Sequence, residues 1–217
     1  MDVFVARQPI FDRKGQLYGY ELLFRSDLDN NEFDGSEAAS ATMQVIANSI
    51  FSIGLENLVC GKKAFFNFNR TLLMGGLLSI LPKESVVVEI LESVEPDAEI
   101  VTACRELYAQ GYTIALDDFV RDPRFEPLTE IAKLIKVDMR ATAKTEQEHL
   151  LRTYPPRGIA MLAEKSRLAR SSTGRKELGT ICFKVTFSPG RSWSAVAKFL
   201  PVKLPAFNCF VRCSIAT

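Results

Sequence analysis

One histidine and one tryptophan in 217 residues leave little room for imidazole or indole chemistry. His149 falls in the polar run 145–149, which reads as a solvated helix face, not as a catalytic or metal position. Five cysteines without a short metal-type spacing exclude a zinc-finger pattern. They fit a reducing cytoplasm better than a disulfide framework. No run approaches the ~20 apolar residues that span a bilayer. The opening Met1-Asp2-Val3-Phe4 has no basic region leading into an apolar core, so no secretory signal is expected. A cytoplasmic chain without membrane contact is the expectation.

Hydrophobic residues at 47% and charged residues at 24% describe an ordinary folded protein with one substantial core. The net charge of +1 conceals a split. Residues 1–165 hold 18 basic and 25 acidic side chains, a balance of −7, whereas residues 166–217 hold 9 basic side chains and the single acid Glu177, a balance of +8. That asymmetry alone is compatible with a basic nucleic-acid arm.

The first 165 residues alternate strand and helix signals. Strands are predicted over residues 3–10, 17–24, 64–68, 86–91, 113–119, 135–137 and 159–163, with an Asx/Gly turn at Asp12-Arg13-Lys14-Gly15. Helices are predicted over 36–51, 71–80, 98–110 (closed by Gly111), 125–131 and 145–152. Val86-Val87-Val88 and Ile114-Ala115-Leu116 are continuous apolar runs of the kind buried on both faces in parallel sheets. The alternation predicts an α/β fold, and the number of repeats favours a barrel.

Polar residues recur where these strands stop: Glu21, Asn67, Glu89, Asp117-Asp118, Lys136 and Glu164. Oxygen donors gathered at one barrel rim suit hard divalent cations, and a paired-metal site needs a carboxylate that can bridge. The lysine could orient water or neutralise a phosphodiester. Taken singly, each has a plain structural reading: Asp117-Asp118 as a turn, Asn67 as the cap of a helix starting near Thr71. Six in this order favour a shared site.

Together these segments resemble the EAL domain family, which hydrolyses the bacterial messenger cyclic di-GMP. The resemblance covers residues 3–165, with the naming motif present as Glu21-Leu22-Leu23 and the opening strand as Gln8-Pro9-Ile10. It implies a TIM-like (βα) barrel of the EAL type, with one early strand antiparallel to the rest. It also implies that Glu21, Asn67, Glu89, Asp117 and Asp118 ligate two Mg2+ or Mn2+ ions, that Lys136 and Glu164 handle water, and that Gln8 and Arg25 touch the nucleotide. Homodimerisation through such domains is a further implication. Residues 3–12 and 117–123 are most similar to EAL domains that precede an HDOD domain, for which 217 residues leave no room.

Three departures point to weak or lost catalysis. Val120-Arg121-Asp122-Pro123 replaces a glycine-containing loop, and Leu91 and Asn69 stand where the family commonly has hydroxyl residues. Beyond Glu164-Lys165 the similarity ends. A family-like last strand, Tyr-Asp-Leu-Phe-Gln-Gly-Tyr-Phe-Phe-Ser, can be encoded so that loss of one base yields Thr-Ile-Cys-Phe-Lys-Val-Thr-Phe-Ser-Pro, the sequence of residues 180–189. Residues 166–217 are therefore expected to be a frame-shifted basic tail with no domain of its own, not an arm for a nucleic-acid polymer. The barrel is expected to be incomplete at its C-terminal end, with exposed ladder edges. The leading function is metal-dependent opening of cyclic di-GMP; the alternative is a non-catalytic nucleotide- or partner-binding module.

Overall fold

The computed structural model describes residues 2–12, 14–25, 54–164, 180–184 and 210–214. The helix expected over 36–51 lies outside the described residues. Among the described residues, nine strands form one sheet: β1 (Asp2–Asp12), β2 (Leu17–Arg25), β3 (Lys63–Phe68), β4 (Val86–Ile90), β5 (Thr113–Leu116), β6 (Leu134–Asp138), β7 (Ala160–Glu164), β8 (Thr180–Lys184) and β9 (Phe210–Ser214). Strands β2 to β8 pair in sequence order, each parallel to the next. β1 lies antiparallel to both β2 and β8 and closes the ring.

That closure is narrow. β8 holds only Ile10, Phe11 and Asp12 of β1, while β9 pairs with the other end, Asp2 to Ala6. The C-terminal side of the barrel is thus held, among the described residues, only by two short strands, Thr180–Lys184 and Phe210–Ser214. Thr180-Ile181-Cys182-Phe183 is rich in β-branched and aromatic residues, which suits it to a pleated surface whatever its origin.

The helices pack outside the ring. They are α1 (Leu55–Val59), α2 (Arg70–Met74), α3 (Ala98–Gln110), α4 (Glu126–Thr129) and α5 (Lys144–Thr153). α3 starts at Asp97, whose carboxylate accepts from Ile100 N at 2.9 Å, and stops at Gly111, which takes φ 101°. α2 is shorter than the 71–80 pattern suggested. It ends at Gly75, Gly76 adopts φ 73°, and only a 3-10 turn follows over Leu77–Ile80. Asn69, not Asn67, caps α2, its Oδ1 accepting from Leu72 N at 2.9 Å. Arg70 then ties α2 to the start of α3 through ion pairs with Asp97 and Glu99.

Side chains alternate across each strand, so the core divides in two. Outward-facing Phe66, Val88, Ile90, Ile114, Leu116 and Ile135 join the helices in the larger cluster. Inward-facing Ile10, Phe65, Val87, Ala115, Leu134 and Leu162 form a second, separate plug inside the ring, with one residue from each of six strands. β2 contributes Gly19 near this level. A Cβ there would stand 2.6 Å from Lys63 O and 2.9 Å from the Phe65 ring.

Two outcomes are expected. Gly19→Ala forces β2 off β3 and lowers unfolding free energy by about 1–3 kcal/mol in urea titrations, whereas an unchanged midpoint would show that the contact is relieved at no cost. Asn69→Ala removes the α2 cap and costs about 1 kcal/mol in the same assay.

Candidate active site

The plug fixes the site by simple counting. Two residues beyond each inward apolar side chain, on the same face, comes a polar one: Phe65 then Asn67, Val87 then Glu89, Ala115 then Asp117, Leu134 then Lys136, Leu162 then Glu164. On β2 the pair is Gly19 then Glu21. β1 runs the other way, so its polar residue precedes the core residue: Gln8, then Ile10. Gln8 lies directly opposite Glu21 in the β1–β2 ladder, and Asn67 directly beside Glu89 in the β3–β4 ladder. Polar side chains of seven strands therefore converge above one hydrophobic floor.

Lys136 stands at the centre, with no exposed surface. Its Nζ lies 2.7 Å from Asp117 Oδ1, 2.9 Å from Glu89 Oε1, 3.1 Å from Glu164 Oε1 and 3.7 Å from Glu21 Oε1. Asn67 Nδ2 donates to Glu21 Oε1 at 3.3 Å and locks that carboxylate toward the centre. Burial alone would lower the Lys136 pKa, but Glu89, Glu21, Asp117 and Glu164 overcome it and hold the ammonium well above the ordinary lysine value. Glu89 is pushed up to about 8, first by burial and then by the charges of Glu21 and Asp117, against the pull of Lys136.

The donor set fits a hard divalent cation. Asn67 Oδ1 and Glu89 Oε2 are buried acceptors that take no hydrogen bond among the described residues. Asp117, Asp118 and Glu164 each bring a carboxylate oxygen within 4.8 Å of the others. Asp118 reaches that position by taking φ 37°, a left-handed backbone held by its own N–H donating to Asp117 Oδ1 at 3.0 Å. Phe119 N then donates to Lys136 O at 3.0 Å and pins the turn to β6.

Every polar residue singled out from strand ends is brought to this rim: Glu21, Asn67, Glu89, Asp117, Asp118, Lys136 and Glu164. Gln8 joins them. Arg25 is placed only as the last residue of β2, paired with Phe4; its side chain lies outside the described ones. Leu91 is half-buried against the outer core, and Val120 is 71% exposed. The positive φ in the loop falls on Asp118, so Val120 carries none of the strain its position suggested. His149 is exposed on α5, as its polar neighbours indicated. Gly19 was not singled out from sequence. Its signal is its place two residues before Glu21, where the other strands have an apolar side chain.

No family model matches the chain. It is 39% identical over 170 residues to the uncharacterized protein YuxH of Bacillus subtilis, covering 76% of this chain and 41% of that protein. Over 138 residues it is 38% identical to the cyclic di-GMP phosphodiesterase CdgJ of Vibrio cholerae, covering 64% of this chain and 32% of that one. The chain thus spans about two-fifths or less of the curated relatives it matches. Its fold superposes with a TM-score of 0.61 on the EAL-domain protein YkuI of Bacillus subtilis in complex with cyclic di-GMP and calcium, at 22% identity, over 83% of this chain and 53% of that one. The shared barrel topology gives this chain the fold of the EAL-domain structures, and the curated relatives are similar to it in sequence.

Proposed function

We propose that this domain acts in cyclic di-GMP signalling, holding the nucleotide over the barrel mouth and opening it to the linear dinucleotide with the help of divalent cations. The observation that carries this reading is the carboxylate ring around Lys136, four acidic side chains from four strand ends within 3.7 Å of one ammonium. A purely structural core has no use for so much buried charge.

Glu21, Asn67, Glu89 and Asp117 would hold one cation, and Asp118 with Asp117 and Glu164 a second. Mg2+ and Mn2+ are the ions this oxygen set suits. When bound, such ions supply positive charge against phosphodiester oxygens and favour the ionised form of water. Glu164 is placed to accept a proton from water at the mouth, and before cations load Lys136 Nζ stands 3.1 Å from its Oε1. Gln8, beside Glu21, faces the nucleotide, and Arg25 at the end of β2 is the nearby candidate for its phosphates. The apolar floor excludes water from below, which strengthens every electrostatic contact above it.

A second reading has its own observation. The loop after Asp118 is built as a fixed turn: Asp122 accepts from Arg124 N at 2.9 Å and pairs with its guanidinium, and Arg121 pairs with Glu146 on α5. A loop braced this way suits a domain that binds the nucleotide and signals without turnover. The lineage of CdgJ, a phosphodiesterase, supports the first reading.

One purified sample separates the two. Cyclic di-GMP is incubated with Mg2+ or Mn2+ and the products are resolved by chromatography, while calorimetry follows binding. Linear product that Glu21→Ala reduces by about 100-fold or more supports hydrolysis. Saturable binding with no product supports the non-catalytic module. Absence of both would end the cyclic di-GMP reading for this chain.

A further inference from the structure

Lys136 occupies a place that electrostatics would assign to a metal ion. Its Nζ is enclosed by oxygens from β2, β4, β7 and the end of β5, with no exposed surface. A cation entering among those same oxygens would meet a like charge within a few ångströms, with little water to screen it. Conversely, an empty ring of buried carboxylates would repel itself and the site would splay. One group therefore serves two opposed ends.

We propose that the Lys136 ammonium is a tethered counter-cation, which holds the ion-free site together and competes with divalent cations for the Glu21, Glu89, Asp117 and Glu164 oxygens. This rests on the metal-binding reading above and adds a step to it: loading the site requires Nζ to withdraw. Lysine suits the part, because a compact point charge on a flexible four-carbon stem can leave the ring, whereas a forked guanidinium would remain bonded to two oxygens at once. Asn67, which fixes Glu21 without adding charge, keeps the ring aligned during the exchange. The domain is thereby folded without metal and loads only when the free ion is abundant enough to displace the lysine.

The competition separates stability from affinity, and Lys136→Met in the full 217-residue chain tests it. Mn2+ binding is measured by calorimetry without nucleotide, and melting is followed with and without Mn2+. The expected result is a lower ion-free melting temperature together with a Kd for Mn2+ tightened about tenfold or more. Saturating Mn2+ should also raise the melting temperature further than in the unsubstituted protein. Folding of the variant only in Mn2+ would support the proposal equally, since the ion then does what the ammonium did. A Kd equal to or weaker than that of the unsubstituted chain would overturn it, leaving Lys136 a positioning residue. If the unsubstituted chain and the variant both ignore Mn2+, the metal-binding reading falls as well. Should Lys136→Met stay unfolded with and without Mn2+, Lys136→Gln, whose amide can still donate to the carboxylates, is judged by the same criterion. Failure of both to fold in Mn2+ would also overturn the proposal.

Discussion

The pleat of a β-strand permits only two directions for side chains, and this domain turns that restriction into a site. Inside the ring, Ile10, Phe65, Val87, Ala115, Leu134 and Leu162 fill one level. The next inward positions lie one pleat period, roughly 6–7 Å, further along. Those positions cannot be apolar and remain useful, because they stand where the barrel opens. They carry Asn67, Glu89, Asp117, Lys136 and Glu164, with Glu21 from β2 and Gln8 from the reversed strand β1. The buried charges depend on the plug for their dryness and on the ladder for their register. A slip of one residue in any strand would exchange a carboxylate for an outward-facing aliphatic.

The cost of this arrangement is visible in the charges. Four acidic groups in a dry space destabilise the fold unless something neutralises them. Glu89 answers in part by favouring its protonated form, and Lys136 by keeping its proton. The same crowding that makes the site a liability for folding makes it a strong attractor for cations. Local strain at Asp118 belongs to the same economy: a non-glycine residue in the left-handed region is tolerated because its carboxylate is thereby brought to the rim.

Much of this could be read from the residues alone, for a specific reason. Strand ends such as Val88-Glu89-Ile90 and Ile135-Lys136-Val137 announce a lone charge within apolar neighbours, which is rare enough in a core to stand out. The helix from Ala98 to Gln110 was equally plain, since Asp97 and Gly111 mark both ends. Contacts that depend on space rather than pattern were hidden. Nothing in the string Leu17-Tyr18-Gly19-Tyr20 says that Gly19 makes way for Phe65. Asn67 and Asn69 are chemically identical and two residues apart, and only geometry shows that one caps a helix while the other steers Glu21. The segment 180–184 was discounted because its residues do not follow the family pattern. A ladder asks less than a pattern does: backbone groups and a tolerance for the pleat are enough for Thr180–Lys184 to bridge β7 and β1.

β1 runs against its neighbours, so it begins at the open end of the ring and finishes beneath the hydrophobic floor. Asp2 therefore lies on the carboxylate side of the floor, six extended residues beyond Gln8, not on the far side of the barrel. A histidine-rich purification tag fused ahead of β1 would bring its own metal ligands to the same side of the barrel as the carboxylates.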